Sequence, residues 1–316
     1  MLEFFNNPDI AIGTKLLEIV YFLIGLILIY VGINNLQDKE NPKSATTALF
    51  WGLLGVVIAF GRWIPEKYVG ILILIMAVPP IFNLVKPGKN DIPTDEYTEK
   101  MSNKIGYKIF IPALMIGLFA ILFATVFTKL GALVGVTLGV ICAAITLKIM
   151  NNDTTISTFL ADNKRLLDMV GPLCMLPMFL ASLGAIFTEA GVGEVIANLV
   201  GNIIPKGNVN VGIIVFAIGM VLFTMIMGNA FAAITVMTVG IGAPFVLQYG
   251  ADPALIGMLA LTTGYCGTLM TPMAANFNIV PVAILEMEDK NGVIKNQIIP
   301  ALIMIVVQIV YMIIFK

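Results

Sequence analysis

The chain has 316 residues, 59% of them apolar and 12% charged, with a mean hydropathy of +0.98. Soluble domains carry about 25% charged residues, so this composition excludes an ordinary soluble enzyme and specifies an integral membrane protein with room for about eight or nine spans. A net charge of −1 points away from nucleic acid as a partner, and the absence of His removes His-ligated zinc, Ser-His triads and His proton relays.

The chain opens Met1-Leu-Glu-Phe-Phe-Asn-Asn-Pro-Asp9, acidic where a signal peptide is basic and without an Ala-x-Ala site, so the first apolar run is expected to persist as a span. Span 1 is expected over about Leu16 to Ile33, with Glu18 near its interfacial start. Span 2 follows over about Ala45 to Phe60, with Trp51 and Trp63 as interface anchors. Span 3, about Tyr68 to Leu84, should kink or end at Pro79-Pro80, which lack backbone donors. These three spans make up residues 1–85. Residues 86–108 hold five Lys and four acids and read as a cytoplasmic linker. Spans 4 (about Ile109 to Phe127) and 5 (about Leu130 to Ile149), with a polar stretch from Asn151 to Arg165, fill residues 109–164. Span 6 is expected from Leu166 to Phe187, with Pro172 and Pro177 in it. A short amphipathic helix follows within Glu189 to Ile204, its stripe formed by Val192, Val195, Ile196, Leu199, Val200 and Ile203. Cys142, Cys174 and Cys266 are far apart in apolar segments and read as small packing residues.

Two later stretches carry chemistry. The uncharged apolar run from Val211 to Leu247 is too long for one span, which needs roughly 20 residues, and its middle holds Gly228, Asn229, Ala230 and Thr235. An Asn at membrane depth is unfavourable unless it is paired or faces water. A break at Gly228-Asn229 therefore predicts a re-entrant helical hairpin over 211–247, its turn at a binding site. The run from Leu255 to Leu285 is interrupted by Gly264, Gly267 and Pro272, with Thr268, Thr271 and Asn276 supplying oxygens. A broken helix over 255–285 would aim a half-helix N-terminus at a small carboxylate, while freed carbonyls would suit Na⁺ at Asn229, Thr271 and Asn276. The last span is expected over Ile298 to Phe315.

The simpler reading makes these Gly and Thr residues helix-packing positions. Two separate clusters combining Asn, Pro and Thr make it the weaker one. Tyr265 stays open between lining the site and packing. Glu189 and Glu194, flanking Gly191-Val-Gly193, read as acids at a helix N-terminus near the outer surface. Neither broken stretch contains Asp, Glu, Lys or Arg, so oxygen-ligated Na⁺ fits better than a proton as the coupling ion. With the N- and C-termini outside, twelve Lys and Arg fall inside and six outside, including Lys206, which supports an N-out/C-out arrangement.

Phe179-Leu-Ala-Ser-Leu-Gly-Ala-Ile-Phe-Thr-Glu-Ala-Gly-Val-Gly-Glu-Val-Ile-Ala197 resembles the segment before the outer hairpin in the ion-transporter superfamily of gluconate permeases and divalent-anion/sodium symporters. Gly228-Asn229-Ala230 resembles their Ser-Asn-Thr signature, with Gly for Ser and Ala for Thr. Thr271-Pro272 through Asn276 resembles their Thr-Pro-Pro-Asn break with altered spacing. The resemblance covers residues 165–316 and implies a transport-type repeat, Asn229, Thr271 and Asn276 as ligand positions, and an elevator-like motion. The whole chain also resembles an uncharacterised bacterial permease family, filed as a domain of unknown function. That likeness implies a second, smaller membrane protein as partner, supplying the other repeat, and 5-oxoproline or a similar carboxylate as substrate.

The expectation is thus an all-α, multi-pass protein of the cytoplasmic membrane, with about eight spans, a re-entrant hairpin and a broken helix. Its function would be cation-coupled transport of a small organic anion with no cofactor besides Na⁺, alone, with a partner subunit or as a homo-oligomer. The alternatives are a non-transporting accessory subunit and, less favoured without His or an HExxH motif, a membrane-embedded enzyme.

Overall fold

A computed structural model describes residues 1–89, 93–152, 155–201, 204–205 and 207–316; the side chains of Pro177 and Ala181 are outside it. Expectations placed on Ile203, Lys206 and the Pro177 side chain therefore lie outside the described residues. The described residues form helices and connecting turns, with no strand among them. Among the described residues, seven helical runs are long and apolar enough to cross a membrane. The protein is an all-α, multi-pass membrane protein. It divides into two units, Met1–Gly171 and Pro172–Lys316.

The first unit begins with α1 (Leu2–Asn6) and α2 (Ile12–Gln37), followed by α3 (Ser44–Phe60) and α4 (Glu66–Ile81). Helices α2 and α3 pack backbone to backbone: a Cβ at Gly25 would stand 2.6 Å from the Gly55 carbonyl oxygen. Without a hydrophobic drive between helices in lipid, such close van der Waals approach is what holds them. Because α2 starts at Ile12, Glu18 lies inside it, 5% exposed, and accepts from Arg62. Trp51 is not an interface anchor: it is 0% exposed, edge-on to Phe50 with centroids 4.9 Å apart. Position 51 falls mid-helix, where the side chain meets neighbours before it can reach the interface. Pro79 and Pro80 occupy the last turn of α4, which ends at once, with Asn83 at φ 54° and the Leu84 N–H donating to the Pro79 carbonyl at 2.8 Å.

The stretch read as a linker contains α5 (Asp95–Ile105). Thr94 caps it by accepting from the Tyr97 N–H at 3.3 Å, and Asp95, Glu96 and Lys104 complement its dipole. Helices α6 (Phe110–Thr125) and α7 (Ala132–Met150) follow. The polar stretch after α7 folds mostly into α8 (Ile156–Val170), capped by Thr155. The single sixth span expected from Leu166 to Phe187 is therefore two elements, separated by Gly171 at φ 52° and a 3₁₀ turn to Met175.

Buried Asp168 ties α8 to the first unit. It accepts from Asn35 Nδ2 and Lys164 Nζ, both at 3.1 Å, while Lys164 Nζ also donates to the Lys89 carbonyl at 3.0 Å. These contacts explain why the division falls after Gly171, six residues beyond the start of the transport-type region read from the sequence at 165. The same end of the unit clasps residues 84–89: Thr46 donates to the Leu84 carbonyl at 2.6 Å and Asn41 to the Lys86 carbonyl at 3.1 Å. The Lys89 N–H, donating to the Asp38 carboxylate at 2.5 Å, holds that carboxyl below its ordinary pKa.

The second unit contains α9 (Leu176–Glu189), α10 (Val192–Val200) and α11 (Val209–Met227). It continues with α12 (Ala230–Met237), a wide π turn over Thr238–Gly242 and α13 (Ala243–Phe245). Last come α14 (Pro253–Thr268), α15 (Ala275–Ile284) and α16 (Gly292–Phe315). Helix α11 and the run from α12 through α13 form an antiparallel hairpin turning at Gly228-Asn229. Gly212 at its base faces the Phe245 carbonyl, and Gly219 midway faces Met237 and Ile241. Phe216, Met220, Met237, Ile241, Ile256 and Met312 fill the core between the hairpin arms, α14 and α16.

Helix α14 runs beside α11 in the same direction, so the two end together, with Thr271 bonded to the Met225 carbonyl at 2.8 Å. Helix α16 runs back the other way: Thr263 donates to Gln308 at 2.7 Å and Lys316 reaches Asn210. Its first turns, with α15 beside them, lie beyond the hairpin tip. At 1.5 Å per residue, α16 is about 36 Å long and α11 about 28 Å, so the tip stops short of the far end of α16. The hairpin and broken helix are thus both present as shapes, and the hairpin arms, Val209–Met227 and Ala230–Tyr249, are each among the runs long and apolar enough to cross a membrane.

Candidate functional site

The tip of the hairpin follows from two residues. Gly228 takes the left-handed conformation at φ 67°, and a Cβ there would stand 2.5 Å from the Met273 carbonyl oxygen. Both conditions call for glycine. Asn229 then caps α12, its Oδ1 accepting from the Phe231 N–H at 2.9 Å and the Ala232 N–H at 3.3 Å. This leaves its amide NH₂ donors without a partner among the described residues.

The break after α14 is held by a residue the sequence reading passed over. Asn278, 0% exposed, donates through Nδ2 to the carbonyls of Thr268 at 2.7 Å and Thr271 at 2.6 Å. Its own Oδ1 has no partner among the described residues, and neither does the Thr224 hydroxyl, also fully buried. The Thr268 and Thr271 carbonyls that the break exposes thus each accept one bond from the Asn278 amide. Thr271 likewise spends its hydroxyl on the Met225 carbonyl and on the Met273 N–H at 3.2 Å. It stitches the break to the hairpin and lines neither of the two cavities there.

The first cavity has a volume of about 150 Å³ and is lined by Leu180, Gly228, Asn229, Ala230, Phe231, Tyr265, Thr268, Asn276 and Phe277. Five of the nine residues named from the sequence meet in it: Gly228, Asn229, Ala230, Thr268 and Asn276. Of the others, Thr235 faces a second cavity, Gly267 packs on Val221, Pro272 is exposed in the turn and Thr271 plays the stitching part just described. Tyr265 lines the first cavity and meets Phe231 and Phe277 edge to face, with centroids 5.8 and 6.4 Å apart. Two half-helices begin at this cavity, α12 at Ala230 and α15 at Ala275. With Phe231 and Ala232 N–H taken by Asn229 and Phe277 and Asn278 N–H by the Ala274 carbonyl, the N–H groups of Ala230, Ala275 and Asn276 have no acceptor among the described residues, and the two helix dipoles place partial positive charge there. No charged side chain lines it. Such a space, the volume of about five waters, suits a compact anion held by backbone N–H groups and amides.

The second cavity, about 470 Å³, lies on the other face of α12 and is lined by Gly184, Ala185, Thr188, Glu189, Asn229, Phe231, Ala232 and Thr235. Helices α9 and α10 run along the returning arm of the hairpin. Gly184 packs on Ala232, Thr188 lies 3.4 Å from Thr235 between hydroxyls, Gly193 packs on Val239 and Gly201 on Phe245. Glu189, which is exposed, is therefore not in the first turn of a helix, where its spacing from Gly191 would place it. It ends α9, beside Thr235, partway along the arm. Glu194 does sit in the first turn of α10.

Residues 18–316 match a family described as a protein of unknown function (DUF979). No curated protein matches the chain, and no solved structure does.

Proposed function

The chain belongs to that family, and we propose that it is a secondary transporter, or the carrier subunit of one, for a small organic anion. The observation that carries this reading is the pair of half-helix N-termini, α12 and α15, meeting at one uncharged cavity inside a membrane protein. Discontinuous helices around a central site are the usual construction in secondary transporters, because broken backbone is tolerated at depth only where it faces a cavity or protein. Recognition by N–H groups and the Asn229 and Asn276 amides, without Lys or Arg, lets an anion be held and released. The small volume and the edges of Phe231, Tyr265 and Phe277 favour a compact carboxylate with an apolar or planar body. The resemblance stated above makes 5-oxoproline the first candidate, Na⁺ the coupling ion and the cytoplasmic membrane the location.

The test is uptake of labelled 5-oxoproline into cells expressing the protein together with the smaller membrane protein that the resemblance implies, with and without a Na⁺ gradient. Uptake should require the gradient. Asn229→Ala should reduce it at least about tenfold, since the residue both caps α12 and faces the ligand, while folded protein remains in the membrane. Unchanged uptake by both Asn229→Ala and Asn276→Ala would remove the site from this cavity.

A further inference from the structure

The anion cavity has no charged lining, yet a carboxylate stands one helix face away. Glu189 closes α9, a helix that ends partway along the hairpin arm and resumes as α10 after Gly191 at φ 70°. This is a third discontinuity in the second unit, and its polarity is opposite to that of the two N-termini at the first cavity. A helix C-terminus carries partial negative charge and leaves four carbonyls without intrahelical donors. Here the Ile186 and Thr188 carbonyls accept from Ala190 and Gly191, at 2.9 and 3.1 Å, while those of Phe187 and Glu189 have no backbone partner among the described residues. The Thr188 and Thr235 hydroxyls, 3.4 Å apart, and the Glu189 carboxylate line the same 470 Å³ cavity.

We infer that this second cavity is a monovalent cation site, taking Na⁺ on the Glu189 carboxylate, the Thr188 and Thr235 hydroxyls and the carbonyl end of α9. All of these donors are hard oxygens. One carboxylate matches one positive charge, and no group of three His, Cys, Asp or Glu that could hold a metal exists among the described residues. The site lies apart from the Thr271 position expected from the sequence; the Thr188 and Thr235 hydroxyls donate to the Gly184 and Ala232 carbonyls, at 3.0 and 2.9 Å, and so offer a cation their oxygen lone pairs. Asn229 and Phe231 line both cavities, so a cation in one stands a single residue from an anion in the other. The inference rests on the transport reading for its purpose and on the α9 terminus for its place.

Equilibrium binding of radiolabelled Na⁺ to the purified full-length protein, against K⁺ and choline at constant ionic strength, tests it without any anion. The wild type should bind Na⁺ saturably. Glu189→Gln should weaken binding at least about tenfold, and Thr235→Val should weaken it about threefold or more. Glu194→Gln, outside the cavity, should bind as the wild type does. Thr235→Val keeps the test decisive should Glu189→Gln fail to fold. Absence of saturable Na⁺ binding, or wild-type binding by both cavity variants, overturns the site. Na⁺ binding that depends on Glu189 in a protein that moves no anion would instead overturn the transport reading and leave the cation site in place.

Discussion

At residue scale, Asn276 and Asn278 are two positions apart and have opposite duties. Asn276 is exposed to the cavity, while Asn278 is buried and bonds two carbonyls of the break. Asn276→Ala should abolish uptake and leave thermal stability nearly unchanged. Asn278→Ala should lower stability by about 2 kcal/mol, from two lost hydrogen bonds at roughly 1 kcal/mol each, and impair uptake as a consequence. Thermal unfolding of the two purified variants, set beside their uptake rates, separates them. Sequence reasoning reaches Gly228, Asn229, Thr268 and Asn276 because a Gly-Asn or Gly-Thr interruption of an apolar run is visible on inspection. It cannot reach Asn278, whose role exists only once the chain has turned at Thr271. The same holds for Glu189: its spacing from Gly191 fits a helix start, and only packing along the hairpin shows it to be a helix end.

Among elements, α8 is the one whose attachment decides the division of the chain. Its buried Asp168 compensates Lys164 and Asn35. Asp168→Ala removes the carboxylate between them and should destabilise the first unit by about 3 kcal/mol, read as a lower denaturation midpoint. The clasp on residues 84–89 responds to acid. A carboxyl held below its unfolded value, about 3.9, contributes stability above that value and loses it as pH falls through the lower folded value. Hydrogen exchange at residues 84–89, corrected for the intrinsic rate, should stay constant from pH 8 to 5 and rise only below about pH 4. In Asp38→Asn it should be raised throughout. Elements with strong apolar runs, such as α2, α7 and α16, are legible from hydropathy alone. The capped polar helices α5 and α8 are less so: their signals, Thr94 and Thr155 ahead of polar residues, are faint beside the apolar spans around them.

For the whole molecule, the hairpin and the broken helix both belong to the second unit, with a single such pair among the described residues. The transport reading proposed above, with the other repeat supplied by a partner, would put the second such pair outside this chain. Reconstituted alone, the protein should therefore transport poorly, and addition of the smaller membrane protein should raise the initial rate at least about tenfold. Full-rate uptake by the isolated chain would assign the missing half to residues 1–171 or to a second copy of this protein. The all-α membrane class was readable from composition, because lipid demands that helices satisfy their own backbone. The pairing of the two breaks was an expectation from the same reading, but the contact between residues 228 and 273 that realises it follows only from the parallel run of α11 and α14.

Asn229 and Phe231 form a wall common to two compartments, and thermodynamics attaches a condition to such a wall. If filling one side changes the affinity of the other by some factor, the reverse effect has the same factor, whichever ligand arrives first. The coupling can thus be measured from either direction: the anion's improvement of Na⁺ affinity must equal Na⁺'s improvement of anion affinity. At about 1.4 kcal/mol per tenfold, a change in what the Asn229 amide faces is of the size that would make each occupancy favour the other.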